Sequence, residues 1–129
     1  MIRFFVLITA LIILVNCGSF HNQKTISLKD GRDVTVFFDI EKIESGEDVL
    51  FVEYTSEVLV RKESTVENEV TEIWSALETL AESKRVEEAI IKYQYPSGES
   101  NGSGKKLYEA LLFTADFTET GNWTIRKVD

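Results

Sequence analysis

The stretch STVENEVTEIWSALETLAESK, residues 64–84, decides the fold because it is the longest segment with helical periodicity. Its apolar residues recur at intervals of three and four, which places them along one side of a helix. They are Val66, Val70, Ile73, Trp74, Leu77, Leu80 and Ala81. Ser64 and Glu67 have the spacing of a capping box, which marks the start of the helix. The sequence therefore predicts one long amphipathic helix over residues 64–84.

Apolar and polar residues alternate on both sides of this helix, as they do in half-buried β-strands. Asp30-Gly31 is a hairpin signal, and we expect Pro96 to end the strand after the helix. Because the connections are short, neighbouring strands should be mostly antiparallel. The sequence predicts an α+β fold in the order β-β-β-α-β-β-β, with the helix packed on the sheet. The predicted strands are 25–28, 34–40, 49–54, 89–95, 107–117 and 123–128.

Length and composition predict one domain and exclude several classes of protein. The chain has 129 residues, a formal net charge of −8, one Cys and one His. A single Cys excludes a disulfide framework and a Cys-rich zinc site, and a single His excludes a His-rich metal site. An acidic chain is a poor partner for nucleic acid, because phosphate binding needs clustered Lys and Arg. We predict no metal, no cofactor and no nucleic-acid partner.

The first 17 residues, MIRFFVLITALIILVNC, have the pattern of a secretory signal. Arg3 supplies the positive start, and residues 4–15 form an apolar run of 12 residues. A membrane-spanning helix needs about 20 apolar residues, so this run is short for a span. Small polar residues follow it, as they follow the apolar core of a signal peptide.

The end of this segment resembles the signal of bacterial lipoproteins, in which a leucine precedes the lipid-modified cysteine by three residues. Leu14 and Cys17 match that pattern, whereas Asn16 stands where the family prefers Gly, Ala or Ser. The resemblance implies lipidation of Cys17 and a membrane anchor through diacylglycerol and palmitate-type chains. Plain secretion after cleavage near Gly18 and an uncleaved anchor are the alternatives.

The resemblance also implies a location and a division of the chain. Residues 1–16 are the predicted signal peptide, 17–24 a lipid-anchored tether and 25–129 the single α+β domain. The protein would lie in the cell envelope, facing the periplasm or the exterior. Gly18, rather than Asp, follows Cys17, which favours the outer membrane by resemblance to sorting in Gram-negative bacteria.

No combination of residues predicts catalysis or nucleotide binding. His21 falls in the predicted tether, away from any core, and a lipidated Cys17 has no thiol. The segment GESNGSGKK looks like a phosphate loop, but five residues separate Gly98 from Gly104 and Lys106 replaces the required hydroxyl residue. We predict no catalytic residues and no nucleotide partner.

The second face of the predicted sheet is also partly apolar, which is unusual for a sheet with one helix. Two interpretations are open: the sheet closes a small second core, or it presents an open face to a ligand or partner. The second interpretation gives a candidate binding surface. It consists of Phe37, Phe51, Tyr108 and Trp123.

These observations predict an envelope lipoprotein with a non-catalytic binding role. It would be a protein-interaction module, an inhibitor or an assembly accessory, and its partners would be the membrane and an envelope protein. One alternative is a periplasmic carrier of a small apolar ligand, which needs a cavity between helix and sheet. Another is an acid/base hydrolase, which needs two converging carboxylates.

Overall fold

The structure, a computed structural model, describes residues 20–56 and 63–128. The predicted signal peptide and the proposed lipid acceptor Cys17 lie outside the described residues. Within the described ranges, no helix is long and apolar enough to cross a membrane.

The described chain forms one six-stranded sheet and one helix, so the predicted α+β class and element order are confirmed. The strands lie in the sheet in their order along the chain. All neighbours are antiparallel except β3 and β4, because the helix between them returns the chain to the opposite end of the sheet. The elements are β1 (Asn22–Ser27), β2 (Asp33–Lys42), β3 (Asp48–Thr55), α1 (Glu63–Ser83), β4 (Glu88–Ser100), β5 (Lys106–Phe117) and β6 (Trp123–Lys127).

Helix α1 has 21 residues and packs one side against the sheet. It begins at Glu63, so Ser64, the predicted capping residue, lies within the helix. Trp74 and Leu77 are 1% and 0% exposed at the centre of the packed side. They belong to one buried cluster with apolar residues of the sheet, and each large side chain removed from water contributes about 1.5–3 kcal/mol.

The carboxyl end of α1 is closed by backbone hydrogen bonds rather than by basic side chains. The Val86 nitrogen donates to the Ala81 carbonyl oxygen at 2.9 Å, and the Arg85 nitrogen donates to Glu82 at 3.0 Å. This is the Schellman pattern, in which the residue after the helix takes a left-handed conformation. Arg85 has a φ of 58° and occupies the position that glycine usually fills.

Strand β4 passes through Pro96, so the prediction that this proline ends the strand is wrong. The Ser56 nitrogen donates to the Gln94 carbonyl oxygen at 2.8 Å, which shows that Gln94 directs its backbone groups toward β3. By alternation, the Pro96 nitrogen points to the same side, beyond the last residue of β3. Its missing N–H therefore removes no hydrogen bond from the ladder.

Strands β4 and β5 extend beyond their neighbours as a two-stranded arm, residues 96–111, which we call the β4–β5 arm. Beside β4, strand β3 ends at Thr55, which pairs with Gln94. Beside β5, strand β6 pairs only with residues 113–117. Residues 98–110 are all exposed. Because β4 has 13 residues, its far end stands about 40 Å from its start.

Candidate functional site

The four residues predicted as a binding surface do not lie on one surface. Phe37 and Tyr108 are 38% and 44% exposed on the face away from α1, but they stand three strands apart. Phe51 is 1% exposed. Trp123 lies on the other face, where its ring meets Trp74 edge-on with the centroids 4.7 Å apart. The predicted surface is therefore wrong as a unit, and Phe37 is the member that borders a cavity.

Phe51 is buried because the face away from α1 carries its own apolar cluster. Partly buried Phe20 and Leu112 pack against this cluster. For these residues, the interpretation as a small second core fits and the open apolar face does not. The fully buried members are Ile43, Val49, Phe51 and Ile90.

His21 is bound to the sheet, so the expectation that it lies in a free tether is wrong. Its backbone nitrogen donates to Oδ2 of the buried Asp39 at 2.9 Å, and its Nδ1 lies 3.1 Å from the same oxygen. Asn22 Nδ2 donates to the other carboxylate oxygen at 3.0 Å. The folded domain thus includes His21 and Asn22, which precede the predicted boundary at residue 25.

Strands β2 and β3 separate at the end of the sheet near the start of α1, and a cleft opens between them. Their ladder pairs Phe37 with Glu53 and goes no further in this direction, although β2 continues to Asp33 and β3 to Thr55. Strand β3 stays beside β4, which leaves the gap next to β2. We call it the β2–β3 cleft.

The β2–β3 cleft has a cavity volume of about 510 Å³, which is the size of a small-molecule or side-chain pocket. Most of the residues that line it carry a polar group, beside the apolar Val34 and Phe37, and Phe37 is exposed at its rim. The polar lining residues are Arg32, Asp33, Thr35, Tyr54, Thr55, Ser56 and Glu69.

Glu69 projects from α1 toward the sheet, and its side chain is 4% exposed. One carboxylate oxygen accepts a hydrogen bond from Arg32 Nη2 at 2.5 Å, and the Tyr54 hydroxyl lies 3.5 Å from the other. A buried carboxylate requires such partners, because burial without them is costly.

Glu69 is not among the residues that the sequence predicts to be functional, but its spacing holds a signal. Glu69 follows Val66 by three positions and precedes Ile73 by four. Residues so spaced share one side of a helix, so Glu69 belongs to the apolar side. A carboxylate on that side predicts a buried ion pair with a basic residue elsewhere in the chain.

Arg32 is held between two carboxylates. Its Nε donates to Asp30 Oδ2 at 2.8 Å, and this hydrogen bond is the main cause that raises the pKa of Arg32. Partial burial lowers the pKa, while the hydrogen bond and attraction from Glu69 raise it again. The guanidinium therefore stays charged wherever the protein is folded. Its side chain is 36% exposed, so it also offers donors to the cleft.

A second hydrogen bond joins α1 to the turn between β1 and β2, which carries Arg32. The Lys29 nitrogen donates to Glu72 Oε2 at 2.6 Å, one helical turn from Glu69. A hollow of about 190 Å³ lies between these two links. Two acidic side chains of α1 thus hold the turn that carries Arg32.

No group of three or more His, Cys, Asp or Glu side chains within residues 20–56 and 63–128 is placed to hold a metal ion. The lining of the cleft includes one guanidinium, two carboxylates, four hydroxyl groups and the phenyl ring of Phe37. These groups can bind a polar segment by hydrogen bonds and place one apolar group against the ring.

The fold and the cleft together define a small α+β domain with a polar cleft at one end of its sheet. No family model matches the chain, and no curated protein matches it in sequence. The cleft is therefore the basis for a proposal about function.

Proposed function

We propose that this protein is a lipid-anchored protein of a bacterial envelope that binds a partner protein without catalysis, and that the β2–β3 cleft is its binding site. The anchor rests on the segment that ends at Cys17 and resembles a lipoprotein signal. The observation that carries the binding role is the separation of β2 from β3 over the ion pair of Arg32 with the buried Glu69.

The direction of β1 supports this assignment. His21 lies beside Asp39, and β1 then runs toward the cleft end, where Ser27 pairs with Asp33. The described chain therefore begins, at Phe20, on the side of β1 away from the cleft. An anchor at Cys17 would leave the cleft accessible to a partner.

The chemistry of the cleft favours a protein segment over an apolar small molecule. Hydroxyl groups and Arg32 can bind polar groups, and Phe37 at the rim can anchor one apolar side chain, as aromatic residues do at interface hot spots. A carrier of an apolar ligand would need a cavity between helix and sheet. In the described residues that space is filled by Trp74, Leu77 and Tyr93.

Lipidation of Cys17 is tested by mass spectrometry of the protein from the membranes of cells that make it. We expect an amino-terminal peptide that starts at Cys17 and carries a diacylglycerol, since the preceding segment resembles a lipoprotein signal. Cys17→Ser should move the protein out of the washed membrane fraction. A peptide that starts at Gly18 or Ser19 would show plain secretion, and an intact Met1 would show an uncleaved anchor.

Binding at the cleft is tested with a photo-crosslinking amino acid at position 37 of the full-length protein in native membranes. Ile40 is the matched control, because it lies on the same strand, is 36% exposed against 38% for Phe37, and faces the opposite side of the sheet. We expect one discrete protein adduct from position 37 and none from position 40.

The captured partner then allows affinities to be compared. Phe37→Ala should weaken its binding about tenfold, as truncation of an interface anchor does, while Ile40→Ala should leave it unchanged. Equal adducts from both positions, or equal losses in both variants, would count against the cleft as the binding site.

A further inference from the structure

The outer edge of the β4–β5 arm is a strand without a neighbour. The last hydrogen bond between β5 and the chain after β6 runs from the Val128 nitrogen to the Leu112 carbonyl oxygen at 2.8 Å. Nearer the tip, residues 107–111 have no strand partner on that side among the described residues. Since Leu112 directs its backbone groups outward, Tyr108 and Ala110 do so as well.

This edge also carries exposed apolar side chains. Leu107 is 39% and Tyr108 44% exposed, so the open strand exposes one large apolar side chain on each face of the sheet. The proline and the register shift of this hairpin both lie on β4, so they do not interrupt the edge of β5. An edge with outward amide and carbonyl groups and exposed apolar side chains is a template for another strand.

Two copies of this edge are complementary in charge when they lie antiparallel. A two-fold axis perpendicular to the sheet places the α1 faces of both copies on the same side of the joined sheet. Two residues that lie opposite each other must therefore have their side chains on the same face. In the register that places Leu107 opposite Leu107 of a second copy, Lys105 lies opposite Glu109 on both sides of the axis. The two neighbouring registers are less favourable. If Glu109 lay on the axis, the two Glu109 carboxylates would face each other. If Tyr108 lay on the axis, Lys105 and Glu109 would no longer be opposite each other.

The same register suits the backbone. Because Tyr108 and Ala110 direct their backbone groups outward, Leu107 falls at a position whose pair is not hydrogen-bonded. Such pairs bring the two Cα atoms to about 4.5 Å, the closest approach in an antiparallel ladder. Glu109 is already held on the arm by the Tyr95 hydroxyl, which donates to its Oε2 at 2.7 Å.

We propose that two copies of this chain associate through the β5 edges of their β4–β5 arms, antiparallel, with Leu107 at the two-fold axis. The association covers Leu107 and Tyr108 and joins the two sheets into one. In this arrangement the two-fold axis places Phe20 of the two copies, where the described chain begins, on opposite sides of the joined sheet.

Disulfide formation between copies tests the interface. Leu107→Cys is made in the full-length protein and oxidised mildly in the membranes of cells that make it. We expect at least tenfold more covalent dimer than in the wild-type chain, whose single cysteine is Cys17. Ala110→Cys is the matched control, because Ala110 is exposed on the same edge but lies about 20 Å from its copy in this register.

A charge exchange tests the register. Lys105→Glu and Glu109→Lys each place two pairs of like charges across the axis, and each should lower the yield of the Leu107→Cys dimer about tenfold. Combining the two substitutions should restore the yield, which a loss of folding would not do. Strong cross-linking at position 110, unchanged yields in the single variants, or adducts of position 107 with another protein alone would overturn the proposal.

Discussion

Replacement of Trp74 by alanine is expected to lower the free energy of unfolding by about 3–5 kcal/mol, because it empties the centre of the helix–sheet core. Trp74 is 1% exposed, and its ring contacts Trp123 edge-on with the centroids 4.7 Å apart. A domain of this size is stable by only about 5–15 kcal/mol, so a large share of its stability would be lost. Chemical unfolding followed by circular dichroism measures the change.

Trp74→Phe is the control for this prediction. The Trp74 Nε1 is buried and has no hydrogen-bond partner among the described residues. Phenylalanine keeps an aromatic ring, leaves a smaller cavity than alanine and removes the unsatisfied N–H, so it should cost less than the alanine substitution. Equal losses of stability in the phenylalanine and alanine variants would contradict this prediction. They would show that Trp74 does not stabilise the fold by filling the core with an aromatic ring.

Arg32→Ala is expected to cost about 2–3 kcal/mol, because it removes a charged hydrogen-bond partner from the buried Glu69 carboxylate. The value is below the 3–5 kcal/mol of a fully buried pair, since solvent reaches the exposed part of Arg32. Arg126→Ala is the control. Arg126 pairs with Asp116 at 3.1 Å but is 68% exposed, so its loss should cost less than about 1 kcal/mol. Thermal unfolding of the Arg32→Ala and Arg126→Ala variants measures the difference.

A second substitution separates this effect from lost packing. In the Arg32→Ala, Glu69→Gln double variant the buried group is a neutral amide that needs no counter-charge, so about half of the lost stability should return. A double variant no more stable than Arg32→Ala alone would show that the guanidinium acts through its contacts and not through its charge.

The fold could be predicted from the sequence wherever one side of an element is buried. Val66, Val70 and Ile73 repeat at helical spacing and are 2%, 0% and 0% exposed in the structure. Alternation identified the strands for the same physical reason. The prediction for Pro96 was wrong because a proline disrupts a strand only where a neighbouring strand needs its N–H. Here β3 ends before it reaches Pro96.

The cleft could be predicted only in part, because a gap between strands is a property of pairing and not of any residue. Glu69 carried a signal in its spacing, but its partner Arg32 lies 37 positions away in sequence. The burial of Phe51 was unpredictable for a related reason. Alternation shows that a face is apolar, but not whether other residues cover it.

The parallel pairing of β3 and β4 has a consequence for the kinetics of folding. It divides the sheet into two three-stranded meanders, each closed by short turns, whereas Leu50 and Ala89 must meet across the whole of α1. Because contacts distant in sequence cost more loop entropy before they form, we expect each meander to assemble rapidly and their docking to limit the rate. The β2–β3 cleft lies within the first meander, but its Glu69 comes from α1, so we expect the cleft to be completed only when the helix docks.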